Sequence, residues 1–317
     1  MSRVTLVAAI GRAVFLAAHP LRQQSPADPA PSSLGRVEVE NALGAGWDFA
    51  GPYAAAPDAA IIGYRDLGGT GVDLRVAAST VVTVVIEFGG RELIVDDTGG
   101  RQHLGAFAVG LPMAAMRVRG EYAECVEIRM SPIRAHSLLG VAATDLGCGA
   151  VPLAELWGPG VERLREQLAS AATWEERFAL TRSMLAHRAT PLRAPDPEVI
   201  AAWQRILGSG GQARVGELAE SLGWSRKRLW ARFESQIGLT PKRAAMLVRF
   251  RRAARGLLEG RPGAEVAAVC GYTDQAHLSR DVAIFADRTP GALHAGDLPG
   301  IAVDRYRAWG TFFQSPA

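Results

Sequence analysis

Two stretches decide the fold: Glu217–Pro241, ELAESLGWSRKRLWARFESQIGLTP, and Glu265–Pro290, EVAAVCGYTDQAHLSRDVAIFADRTP. Laid over one another, they are one motif written twice. Glu217 and Gly223 recur 48 residues on as Glu265 and Gly271, while Leu229, Phe233 and Thr240 recur 49 residues on as Leu278, Val282 and Thr289. The second copy gains one residue after its glycine and otherwise keeps register. A repeat that preserves its turn glycine, its core positions and a closing Thr-Pro marks one supersecondary unit used twice.

Each copy reads as helix–turn–helix. Val215, Leu218, Ala219 and Leu222 fall on one face of a short helix. Gly223 can take positive φ and end it, and Ser225 can cap the next. That second helix buries Leu229, Phe233 and Ile237 and turns Arg226, Lys227, Arg228 and Arg232 to solvent. In the other copy Asp274 caps, Leu278, Val282 and Phe285 face inward, and Gln275, His277, Ser279 and Arg280 face outward. A helix on a tight turn with donors on its free face suits the major groove of DNA. The alternative is a small helical domain with a solvated basic face. Between the copies, Thr240 caps and Pro241 opens a helix with an apolar stripe of Leu247, Phe250, Ala254 and Leu257. Lys242, Arg243, Arg249, Arg251, Arg252 and Arg255 crowd its other faces. Residues 241–259 predict a rod of roughly 28 Å, able to hold two reading helices about 34 Å apart, one turn of duplex.

These residues resemble the DNA-binding domain of AraC/XylS-type bacterial transcription regulators over Glu198–Leu293, about a third of the chain. The run Gly271-Tyr272-x-Asp274-Gln275-x-His277-Leu278-x-Arg280 is the most diagnostic part. The resemblance implies a sequence-specific regulator that reads bases with Lys227, Trp230 and Ala231 from one helix and Gln275, Ala276 and Arg280 from the other. Arg226, Arg228, Arg232, Lys242, Arg243, Arg249, His277 and Ser279 are then the phosphate or flanking contacts. Three positions depart from the family pattern. Ala231 offers only a methyl group, Val282 replaces the usual Phe, and Asp287 stands where a helix-ending Gly is usual.

Composition agrees with a local basic surface. The chain has 317 residues and a net charge of only +3. Residues 213–262 carry twelve Lys and Arg against four Asp and Glu, a local +8, so the remainder nets −5. An asymmetry of this kind is the electrostatic footprint of a nucleic-acid-binding module. The cysteines, Cys125, Cys148 and Cys270, are odd in number and form no CxxC, which reads as reduced thiols in a cytoplasmic protein.

The rest of the chain divides around this domain. Residues 1–34 read as a disordered tail. Its apolar run from Val4 to Ala18 is broken by Gly11-Arg12 and too short to span a membrane. Residues 35–190 read as a β-rich sensor domain ending in helices. Strands are expected over Val72–Val76, Val81–Phe88, Glu92–Val95, Phe107–Leu111, Met116–Val118 and Val126–Met130, with turns at Gly89-Gly90, Asp96-Asp97 and Gly99-Gly100. The family resemblance favours a cupin-like barrel here. Ser131–Arg188 turns helical, with a capping box at Thr173-x-x-Glu176. Residues 191–198 form a proline-stiffened linker, 199–295 the DNA-binding domain and 296–317 a tail. The fold class is therefore α+β, with the β-rich domain and its helical pair preceding an all-α double helix–turn–helix domain.

Catalytic patterns are scarce. The six histidines show no HxH or HExxH spacing, and no glycine pair carries the Lys-Ser/Thr of a phosphate loop. No cofactor and no metal are expected. The expected partner is double-stranded DNA, with RNA polymerase, a small-molecule effector and a second copy of the chain as further candidates and no membrane. The rival reading is an N-terminal small-molecule enzyme or sensor with a secondary or degenerate DNA module.

Overall fold

A computed structural model describes residues 46–56, 59–69, 71–139, 141–147, 149–188 and 195–294. The expected tails, the first half of the linker and Cys148 lie outside these residues. The N-terminal half is built on two antiparallel sheets. Strands β1 (Trp47–Ala56), β2 (Ala59–Asp66), β4 (Val82–Glu87), β7 (Ala106–Val109), β9 (Glu124–Met130) and β10 (Ala150–Pro152) form the larger, in the order β1-β2-β9-β4-β7-β10. Strands β3 (Val72–Val76), β5 (Leu93–Asp97), β6 (Gly100–Leu104) and β8 (Met116–Gly120) form the smaller, in the order β3-β8-β5-β6.

Alternation along the strands explains how the sheets are used. In the larger sheet Ile62, Tyr64, Val85, Phe107 and Cys125 point toward Val72, Leu93, Val95 and Met116 of the smaller one. Their neighbours Ile61, Val84, Ile86, Val126, Ile128 and Met130 point the other way, into a second core shared with the helices. A sheet covered on both faces needs apolar side chains at successive positions. That is why β4 reads as a continuous β-branched run and not as an alternation.

Helices follow. α1 (Pro132–Leu138), a 3-10 turn at Ala143–Leu146, α2 (Leu153–Trp157), α3 (Gly160–Ser170) and α4 (Trp174–Arg188) cover the back of the larger sheet. The capping box forms as expected. Thr173 Oγ1 accepts from the Glu176 N–H at 3.2 Å, and Glu176 Oε2 accepts from the N–H groups of Ala172 and Thr173 at 2.7 and 3.3 Å. The helical stretch differs from expectation at β10, a short edge strand paired with β7.

The C-terminal half is all helical: α5 (Pro197–Gly208), α6 (Val215–Ser221), α7 (Arg226–Ile237), α8 (Pro241–Leu258), α9 (Gly263–Val269), α10 (Gln275–Ala286) and α11 (Pro290–His294). The expected linker ends earlier than 198, because Asp196 stands at the N-cap position of α5 and Pro197 opens the helix. α8 is the central rod and packs against α5, α7, α9, α10 and α11. Its apolar stripe is fully buried, with Leu247 and Phe250 at 0% exposure and Leu257 at 1%.

A candidate nucleic-acid interface on two helices

The two reading helices, α7 and α10, have the same length, 12 residues, and the same local construction. Gly223 and Gly271 sit in the turns ahead of them at φ +67° and +73°, a conformation that costs glycine little and other residues more. Ser225 caps α7 by accepting from the Arg228 N–H at 3.2 Å, and Asp274 caps α10 by accepting from the His277 N–H at 2.7 Å. Each helix drives one apolar edge inward. Leu229 and Phe233 of α7, and Leu278 and Val282 of α10, are at 0% exposure. A helix buried along one edge and capped at its start leaves its opposite face, and above all its N-terminal half, available to a ligand.

That face carries the six residues implicated in base reading. Lys227, Trp230 and Ala231 are exposed on α7, and Gln275, Ala276 and Arg280 on α10. Trp230 keeps 42% of its surface in solvent, unusual for an indole with no assigned contact. Two first-turn side chains fold back over the preceding helix. Arg226 lies over Gly216 and Gln275 over Gly263, where an added Cβ would stand 2.7 and 3.1 Å from their terminal nitrogens.

The flanking candidates separate into two groups. Lys242 and Arg243 are exposed at the start of α8. Arg228 is exposed but stacks on Trp224, 4.4 Å from the ring centroid. Arg232 grips Asp196 through two bonds of 2.7 and 2.9 Å, tying α7 to the cap of α5. Arg249 is already engaged within the domain. Its side chain is only 18% exposed, stands 4.7 Å over the Tyr272 ring and lies 3.5 Å from the buried Asp281 carboxylate. It ties α8 to α10 through Asp281 and Tyr272. Burial and the Asp281 carboxylate push the Tyr272 hydroxyl well above the usual phenol range. His277 is half-buried edge-on to Tyr272, with ring centroids 5.0 Å apart. Ser279 turns its hydroxyl back to the Gln275 carbonyl at 2.9 Å.

Contacts that the sequence did not reveal hold the two helix–turn–helix copies together. Gln212 reaches from the loop after α5 to the Val269 carbonyl at 3.4 Å and lies against Gly271. The loop is pinned to α8 at Gly211, φ +80°, where a Cβ would fall 2.2 Å from the Ala245 carbonyl oxygen. Ile284 was also missed. It lies one turn beyond Arg280 on the same face and is 54% exposed.

Residues 218–295 match the family model described as a helix-turn-helix domain. The chain carries an AraC-type helix–turn–helix domain. No curated protein matches it in sequence. Among solved structures it is similar to ToxT from Vibrio cholerae, at 10% identity and a TM-score of 0.43, covering 80% of this chain and 100% of that one. An unsaturated-fatty-acid-bound ToxT from the same organism gives 10% identity and a TM-score of 0.42, covering 82% and 98%. The AraC-like transcriptional activator CuxR gives 18% identity and a TM-score of 0.29, covering 66% and 80%. No helix among the described residues is long and apolar enough to cross a membrane.

Among the described residues, the N-terminal half holds a cavity between its sheets. Its volume is about 90 Å³, and it is walled by Tyr64, Leu74, Phe107, Met116 and Val118. Arg129 lies on its wall with Glu127, joined by a 2.5 Å charge-assisted bond. Of the other aromatics in this region, Phe88 is spent on the core, 6.0 Å from Trp174.

Proposed function

We propose that this chain is a transcription regulator that docks α7 and α10 in two successive major grooves on one face of a duplex, so that one chain reads a non-palindromic site. The carrying observation is the pair of equally capped helices, each exposing its N-terminal half, on either side of the 18-residue α8. At 1.5 Å per residue that rod is about 27 Å long, close to the ~34 Å between successive major grooves on one face. Lys227, Trp230 and Ala231 read one element, and Gln275, Ala276 and Arg280 the other. A long basic side chain such as Arg280 suits the guanine edge, and the Ala231 methyl suits thymine. Lys242 and Arg243, at the start of the rod, contact phosphate.

Substitution separates the roles. Arg280→Ala should relax base preference at one position by about 1–3 kcal/mol, while Lys242→Ala should weaken all sequences alike and lower the salt slope by about one. Equal losses on selected and random DNA for both variants would refute the assignment.

The cavity between the sheets is the proposed seat of a small-molecule effector. Its volume is well below the ~300–1,000 Å³ of pockets for drug-sized ligands, so the effector is compact and largely apolar. Thermal unfolding of the full chain across a panel of small apolar compounds tests this. A concentration-dependent rise in Tm supports it, and a panel with no rise refutes it.

A further inference from the structure

The two reading helices end differently. A helix leaves its last carbonyls without partners inside itself. On α10, the Asp287 N–H serves the Ala283 carbonyl at 3.0 Å. The next two carbonyls are served from the N-terminal half of the chain: Ala115 donates to Ile284 at 3.1 Å and Ala78 to Phe285 at 2.8 Å. Two side-chain contacts flank them. Arg251 on α8 donates to Thr80 Oγ1 at 2.6 Å, and Arg75 on β3 pairs with the Asp287 carboxylate.

Asp287 itself is the telling residue. It sits at φ +50° and is the only non-glycine residue at positive φ among the described residues. Its counterpart after α7 is Gly238, at φ +87°. A glycine would relieve the conformation at Asp287 but would also remove the carboxylate that meets Arg75.

We propose that the segments 75–80 and 115–116 are the C-terminal cap of the second reading helix, and that Arg75 and Asp287 act as positioning residues fixing the separation at which the two DNA elements are read. This rests on the two-groove reading above. The reading face stays uncovered in this arrangement, so the cap presents α10 to DNA rather than hiding it. The same segments border the cavity through Val76, Ala77, Ser79 and Met116. A ligand there would act on the second DNA element before the first.

The full chain and its Asp287→Gly and Ala115→Pro variants test this with two readouts. In selection from a random duplex pool, wild type should enrich two elements at one fixed separation. The variants should enrich the same elements over a spread of separations. Affinity for the full site should fall about tenfold, the equivalent of ~1.4 kcal/mol, with the first element alone bound as before. Amide hydrogen exchange without DNA should quicken over 283–289 in the variants. Asp287→Gly guards against misfolding, because glycine takes the left-handed conformation freely. Identical separations, or unchanged exchange in both variants, would overturn the proposal. If wild type enriches no DNA, the groove reading fails, and exchange alone then decides whether the cap exists.

Discussion

The two helix–turn–helix copies share a plan and differ in how each is secured. In the first, Phe233 fills the core beside Trp203, with ring centroids 6.4 Å apart. In the second, the matching position is Val282, and the aromatic appears one turn later as Phe285, 4.9 Å from Phe250. The residue matching Phe285 in the first copy is Gln236, which is 7% exposed and accepts from the Asp196 N–H at 2.8 Å. The anchoring charges are swapped as well: Arg232 of α7 holds Asp196, whereas Asp281 of α10 meets Arg249. A duplicated motif therefore conserves the volume and charge pairing of its core while moving the residues that supply them. The smaller Val282 is compensated and not a defect.

The largest expected effects break each copy at its own aromatic. Phe233→Ala and Phe285→Ala should each destabilise by about 3–5 kcal/mol, whereas Val282→Ala should cost only about 2 kcal/mol. Chemical denaturation of the full chain checks this, and a Val282→Ala cost equal to that of Phe285→Ala would reverse the account of the swapped aromatic. Gly211→Ala comes next, at about 2–4 kcal/mol, because it combines positive φ with a clash against α8. It should weaken both DNA elements together, since Gly211 and Gln212 link the two helix–turn–helix copies. The smallest effects belong to the caps. Ser225→Ala and Asp274→Ala should cost about 1 kcal/mol each, seen as small equal losses in Tm. Markedly unequal losses would show that the helix starts are not equivalent.

Much of this was legible in the sequence, and the reason is local. Turn glycines, N-caps, the apolar stripes of α7, α8 and α10 and the Thr-Pro start of α8 all act within a few residues of themselves, so spacing exposes them. The two-faced burial of β4 was likewise readable from its β-branched run. What stayed hidden depends on residues far apart in the chain. Arg249 looks like any basic residue on a basic helix until Asp281 is placed beside it. Asp287 looks like an awkward substitution until Arg75, 212 positions earlier, meets its carboxylate. β10 is three residues long, too short for periodicity to register.

The most direct test of the central claim is a hydroxyl-radical footprint of the full chain on a duplex selected from a random pool. Two protected backbone segments about 10 base pairs apart on one face of the DNA, with Arg280→Ala erasing preference in only one of them, is the predicted result. A single protected segment, or two on opposite faces, would contradict the reading of α7 and α10 as paired probes.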